Sequence, residues 1–303
     1  MTRVKDDHVA DPADKDLVSI EAEILRQAQC LAASVNEDLR PPAYTAGVLT
    51  CSLQSGSNGN CTYVEAGGVR LLFDAGISGR QAQQRLALHG RDIEQVDALF
   101  LSHSHSDHTR AAGIYQRLFH LPIYTTSGTQ RMIAPYAGPL HDLHTFEPGD
   151  TLTFGAVCVH TLPTPHDAPD SVAFVIEHAG RRLGLLTDLG HPFDGLARTL
   201  GDLDAVYLES NYDPHLLATG SYPRALQTRI AGPGGHLSNP EAAELLRSCG
   251  GHWLQWVALA HLSEDNNNPD LALKTHRAVL RRDYPLLVAS RYRASALLQV
   301  HAV

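Results

Sequence analysis

The chain reads as an α/β protein of two packed sheets with helices on the outside. Three observations predict this. Short apolar runs of strand length recur along most of the 303 residues, few of them are separated by crossover helices, and each half repeats one order: strands, a strand ending in polar ligand-type residues, then a helix. A simple doubly wound sheet, with a helix after each strand, does not fit that pattern.

The elements follow in order. Residues 1–16 are polar and rich in Asp and read as a tail. Leu17, Ile20, Ile24, Ala28, Leu31, Val35 and Leu39 then recur every three or four residues, one face of a helix that ends before Pro41 and Pro42. That stripe can pack on the main domain, join a partner chain, whether another protein or a second copy as a homodimer, or stay loosely attached. We therefore divide the chain into 1–46, an acidic tail with an amphipathic helix, and 47–303, the main domain.

In the main domain, VLTCSLQSGSNGNCTYVEAGGVRLLFDAG reads as strand, Gly/Ser/Asn loop, strand, Gly67-Gly68 turn and strand. GRQAQQRLALHG is helical, VDALFLS (96–102) is a strand, a helix runs from Thr109 to Phe119, and LPIYT is a short strand. TLTFGAVCVHTL, SVAFVIEHAG and RRLGLLTDLG supply three more strands, two of them joined around Gly180. DAVYLES, helical PEAAELLRSC, the strand WVALAHLS, helical DLALKTHRAVLRR and the strand-like LLVASRY and ALLQV complete the order.

At 43% apolar the chain can bury a large core. It holds no run of eighteen apolar residues, and its first thirty positions carry charges where a secretion signal needs an apolar stretch, so a soluble, cytoplasmic protein without a membrane span is expected. The five cysteines are scattered and include no C-x-x-C, which suits reduced thiols better than a disulfide framework. A net charge of -9 argues against binding nucleic acid through one broad basic surface, but it leaves room for a local one. Arg277, Arg281, Arg282, Arg291 and Arg293 could line such a track.

The densest chemistry is LSHSHSDHTR, directly after the strand VDALFLS. Alternate residues of an extended segment share a face, so His103 and His105 can reach one ion together. A turn into a helix then lets Asp107 and His108 face a second ion. His166, Asp188 and His261 each stand where an apolar run gives out. We assign His103, His105 and His166 to one ion, Asp107, His108 and His261 to another, and Asp188 to both, because a carboxylate has two oxygens to bridge cations. Nitrogen and oxygen donors suit Zn and also Mn or Fe. Two such ions can share a hydroxide, lower its pKa and hold a phosphodiester for in-line attack, so a dinuclear hydrolase is expected.

The pattern HSHSDH, followed by PHD, TDLG and LAHLS, resembles the metallo-beta-lactamase superfamily over residues 48–303. SGSNGNC (55–61), FDAG, HDA, LESN, GHLSN and LAHLSEDNNNP are similar to the WalJ/YycJ group of bacterial exonucleases, which attack DNA from the 5′ end. The resemblance implies a four-layer αβ/βα sandwich with two mixed sheets and the metals at the sheet edges. It implies that Asp74 of FDAG orients ligands rather than binding metal, and that His236 of GHLSN contacts the scissile phosphate. Asp107 would position the nucleophile, while Asn58, Asn60 and Asn211 would hold substrate. His191, in TDLGHPFD, departs from the usual turn and either enters the pocket or faces solvent. The function expected is a DNA exonuclease. The alternatives are a phosphodiesterase for small or cyclic phosphates, a thioester or lactone hydrolase, a binding protein with silent metals, and a metal-free interaction module, which would leave seven suitably placed ligands idle.

Overall fold

The computed structural model describes residues 47–280 and 285–302. The tail and helix expected in 1–46, and Arg281 and Arg282, lie outside the described residues.

Alternating apolar positions build an opening meander of β1 (Val48–Gln54), β2 (Cys61–Ala66) and β3 (Val69–Phe73), paired antiparallel. There follow α1 (Gly79–Ala87), β4 (Ala98–Phe100), α2 (Ser106–Thr109), α3 (Ala112–Phe119), β5 (Ile123–Thr126), α4 (Ser127–Ala137) and β6 (Leu143–Phe146). β3 through β6 pair in parallel. The second half repeats the plan. β7 (Thr151–Phe154), β8 (Val157–Pro163), β9 (Val172–His178) and β10 (Arg181–Leu186) run antiparallel to one another. Then come α5 (Asp194–Gly201), β11 (Ala205–Glu209), α6 (Pro214–Thr219), α7 (Arg224–Ile230), α8 (Asn239–Cys249), β12 (Trp256–Ala260), α9 (Pro269–Val279) and β13 (Leu286–Val288). β10 through β13 pair in parallel, and β14 (Leu298–Val300) returns to the first sheet beside β1.

Among the described residues this gives two seven-stranded mixed sheets, ordered β14-β1-β2-β3-β4-β5-β6 and β13-β12-β11-β10-β9-β8-β7. Strand periodicity sorts the side chains into layers. Leu71, Phe73, Ala98 and Phe100 of one sheet meet Phe174, Ile176, Leu183 and Tyr207 of the other in the central layer. The intervening Leu72, Leu99 and Leu101 face out, against Ala82, Leu86 and Tyr115 of the helices. Val206, Leu208, Val257 and Leu259 do the same on the far side, against Leu196, Leu200, Ala242 and Leu246. The result is the helix, sheet, sheet, helix sandwich that the resemblance implies. None of the described helices is long and apolar enough to cross a membrane.

The structure corrects four readings of the sequence. TLTFGAVCVHTL is a hairpin, not one strand, because Gly155 takes a φ of 57° and turns the chain between β7 and β8. The helix expected from Thr109 to Phe119 is broken: Ala111 N–H donates to Ala75 O at 2.9 Å instead of continuing the helix, which leaves α2 and α3 separate. α4 and β6 were not anticipated; α4 carries Pro135 in its interior, and β6 is a four-residue strand with one buried side chain. Helices α5, α6 and α7 are short and also escaped notice.

Candidate metal centre

β3, β4, β8, β10, β11 and β12 finish at one edge of the two sheets, and the polar residues that follow them converge there. β8 shares this direction with β10 because two antiparallel pairings separate them. Asp74, Asp188 and His261, placed just beyond β3, β10 and β12, take left-handed φ values of 65°, 57° and 57°. Such values are uncommon outside glycine, though Asp and His tolerate them better than most residues, and they cluster where a site dictates direction. Gly76 permits the tightest approach: a Cβ there would lie 1.6 Å from Asp107 O and 2.5 Å from Asn60 N. FDAG and the HSHSDH loop can therefore touch only if that position has no side chain.

The sequence-predicted ligands come together in the groups expected of them. His103, His105 and His166 offer ring nitrogens within 4.8 Å of one another, and Asp107, His108 and His261 form a second such set. Asp188 belongs with His103 and His108 and also with His261, Glu209 and His236, which places its carboxylate between the two sets. His105 Nδ1 is 3.2 Å from His166 Nε2, and Asp107 Oδ2 is 3.3 Å from His261 Nε2 and 3.5 Å from His108 Nε2. The set contains nitrogen and carboxylate donors and no thiol. Buried His103 Nε2 and Asp188 Oδ2 have no hydrogen-bond partner, although buried polar atoms ordinarily find one. Orphaned donors of this kind, facing one another across two clusters, fit divalent cations.

Outer partners fix the rings. Asp74 is nearly buried: its Oδ1 accepts from Ser102 N and Ser102 Oγ at 2.9 Å each, and its Oδ2 lies 2.7 Å from His108 Nδ1. It thus orients His108 with Nε2 toward the centre. His166 Nδ1 is 2.9 Å from Gly235 O, and His105 Nε2 is 3.4 Å from Asp167 Oδ1. Metal-binding histidines commonly hold their second nitrogen this way.

The electrostatics are those of a tightly packed network of charge. Burial, reinforced by the neighbouring rings of His108 and His166, keeps His103 well below the ordinary imidazole range, and burial likewise lowers His105. Burial also opposes charge on His108, but Asp74, Asp188 and Asp107 outweigh it and raise that ring well above the usual range. Against the same opposition Asp188 and Asp107 lift His261 to about 10. Burial works to raise Asp107 and Glu209 as well, yet His108 and His261 hold Asp107, and His236 and His261 hold Glu209, far below the usual carboxylate range. A cation entering the centre must therefore displace protons from His108 and His261.

Glu209 is the residue that sequence reasoning missed. It is fully buried, accepts from Leu189 N and Leu237 N at 3.1 Å each, and lies 2.8 Å from His236 Nδ1. Its signal was present: a carboxylate closing the apolar strand DAVYLES must find partners. His236 is 3.6 Å from Asp188 Oδ1, at the edge of the centre.

Several expected substrate contacts have other employment. Asn211 is buried, and its Nδ2 donates to His261 O at 2.7 Å, so it braces a ligand from behind. Asn58 Nδ2 donates to Arg291 O at 3.0 Å. Asn60 closes its own loop, with Oδ1 accepting from Gly56 N at 2.8 Å, and its Nδ2 is 3.0 Å from His108 Nε2. Arg291 does not line an open track: its side chain is 11% exposed and donates to Leu262 O at 2.6 Å and Glu264 Oε2 at 2.8 Å. Arg277 is exposed on α9. His191 is exposed, with Nδ1 2.6 Å from Pro233 O. Four cysteines of the main domain, Cys51, Cys61, Cys158 and Cys249, are free thiols, and none belongs to the centre.

Fold and centre together define a metallohydrolase of one superfamily. The family model described as the metallo-beta-lactamase superfamily matches residues 55–232, and the chain belongs to that superfamily. Within it the chain groups with the WalJ and YycJ proteins. It is 34% identical over 227 residues to exodeoxyribonuclease WalJ of Streptococcus pneumoniae, covering 74% of this chain and 84% of that protein. It is 33% identical over 230 residues to exodeoxyribonuclease YycJ of Bacillus anthracis, covering 75% and 87% respectively. The fold also matches that of the metallo-beta-lactamase fold protein YhfI of Bacillus subtilis, with a TM-score of 0.63, 18% identity and coverage of 82% and 99%. The chain is a metal-dependent hydrolase.

Proposed function

We propose that this protein is a dinuclear DNA exonuclease that removes nucleotides from the 5′ end. The observation that carries the reading is the His236–Glu209 pair set beside two complete ligand groups. A cation-binding centre alone suits many hydrolyses, whereas a histidine anchored next to it adds a group for a phosphodiester. The names of the WalJ and YycJ relatives supply the DNA substrate and the exonucleolytic mode, and the resemblance to their group supplies the polarity.

Zn or Mn, with Fe also compatible, would be held by His103, His105 and His166 on one side, by Asp107, His108 and His261 on the other, and by Asp188 between. When bound, the ions supply Lewis-acid activation of water and of a phosphoryl oxygen. The protein's own groups do the rest. Glu209 accepts the Nδ1 proton of His236, which fixes the tautomer and leaves Nε2 as the free nitrogen. When that nitrogen also carries a proton, the ring neutralises charge on the phosphoryl group and passes the Nε2 proton to the leaving oxygen, returning to the neutral Nδ1–H tautomer. Asp107 orients the attacking water, while Asp74 and Asn211 keep His108 and His261 from turning.

A linear duplex labelled separately at its 5′ and 3′ ends, digested with added Mn or Zn, tests the reading. Mononucleotides released first from the 5′ label, lost in His105→Ala and slowed about a hundredfold or more in His236→Ala, are expected. Intact DNA in the presence of well-metallated wild-type protein overturns it.

A further inference from the structure

We infer that Arg229 binds a phosphate of the nucleic acid next to the scissile one, and that Asp167 aims it there. The inference rests on the nuclease reading and extends it to how a polyanion is received by an acidic protein.

The electrostatic problem is plain. The chain carries a net charge of -9, and its centre is walled by Asp74, Asp107, Asp167, Asp188 and Glu209. A strand of DNA needs a local cation at the rim, and Arg291 is committed elsewhere. Arg229, near the end of α7, is in place. Its Nε donates to Asp167 Oδ2 at 2.5 Å, while Asp167 Oδ1 lies 3.4 Å from His105 Nε2 and 3.7 Å from His166 Nε2. One carboxylate thus stands between the guanidinium and two rings of the first ligand group.

Three features suit this arginine to recognition rather than to bracing. Its side chain is 57% exposed, so its ion pair adds little to stability. Asp167 engages only Nε, which leaves both terminal nitrogens open to a ligand. A guanidinium edge of that shape matches two phosphate oxygens. The surrounding loop is also built to hold the position: Asp167 N donates to Gly234 O at 3.0 Å, His236 N donates to Ile230 O at 2.9 Å, and His166 Nδ1 pairs with Gly235 O. A Cβ at Gly235 would lie 2.0 Å from Ile230 O, so the turn after α7 closes this tightly only with glycine. Arg229 and His236, the latter proposed to act on the scissile phosphate, therefore share one rigid segment.

The experiment compares wild type, Arg229→Ala, Arg229→Lys and Arg224→Ala, all loaded with Mn. Each is assayed on a single-stranded oligonucleotide and on a small phosphodiester, bis(p-nitrophenyl) phosphate. Oligonucleotide binding is followed in parallel by fluorescence anisotropy against salt. Arg229→Ala is expected to raise the oligonucleotide KM about tenfold, with a much smaller change on the small ester. The salt slope of binding should fall by about 0.7, one phosphate contact on a single strand. Arg229→Lys should recover the slope but only part of the KM, and Arg224→Ala, exposed on the same helix, should match wild type. Equal losses on both substrates would show a bracing role and overturn the inference, as would an unchanged KM and slope. Failure of wild type to cleave either substrate would instead strike the nuclease reading, while anisotropy still reports whether Arg229 touches the strand.

Discussion

The two halves of the sandwich share a topology and supply the centre in opposite ways. The first sheet gives His103, His105, Asp107 and His108 from one short segment after β4, the loop and the α2 that it enters. The second gives His166, Asp188, Glu209 and His261 singly, from the ends of β8, β10, β11 and β12. In the first half the ordering cost is concentrated in a few residues tied to FDAG by short backbone contacts such as Asn60 N to Asp107 O at 2.7 Å. In the second, every ligand depends on the register of a buried strand. A local motif can be read along the chain, whereas a distributed one exists only after the sheet has formed.

The contrast can be broken outright at Asp188, whose carboxylate lies among members of both groups and is proposed to serve both. Asp188→Ala should reduce phosphodiester hydrolysis to background and halve the metal content found by elemental analysis; full metal content would deny it the bridging place. A smaller effect separates the halves. Asp74→Ala releases His108 and Asn211→Ala releases His261, and each should weaken metal affinity by about 10- to 100-fold. Competition with a chromogenic chelator would measure it. If the local loop is the more self-sufficient, the Asn211 variant should lose more, and the reverse ranking would refute that reading.

A further effect lies away from the centre, in the helical layer over the second sheet. Burial pushes His276 on α9 down to about 4, and its Nε2 is without a partner. The folded state therefore resists a proton that the unfolded chain accepts near the ordinary value of 6.5. The contribution is fully present above that value and is lost as pH falls from 6.5 toward 4, by about 3 kcal/mol. Urea melts across that range should show the decline, and His276→Leu should flatten it. An equal slope in both proteins would place the acid sensitivity elsewhere.

The same contrast explains what could be read in advance. The opening meander was legible because Gly67-Gly68 punctuates clean alternation, and HSHSDH because its spacing is itself the geometry. Glu209 and Arg229 were not. Glu209 looks like the polar end of a strand, and only the fold shows that it is fully buried beneath His236. Arg229 sits on a seven-residue helix without a buried side chain, so no apolar stripe marks the element. Asn211 was recognised as part of LESN, but a side chain beyond a strand end can turn to the open face or back on the scaffold, and this one turns back. α4 was hidden by Pro135, which sits in the last turn of the helix, while Thr126 caps its start and Ile133 reaches the outer core.

Strand β14 carries a consequence for how the protein comes into being. Its pairing with β1, and the bond from Ser52 N to Ser295 Oγ, join positions 243 residues apart at the latter contact. A ribosome releases β14 long after β1, so the meander gains this pairing only once the intervening residues have been made. Arg291, which pins the SGSNG loop beside His108, arrives in the same late stretch. Nascent chains halted before residue 291 would thus carry every proposed ligand yet lack the clamp behind the loop, and hydrolytic competence would come only once that stretch has been made.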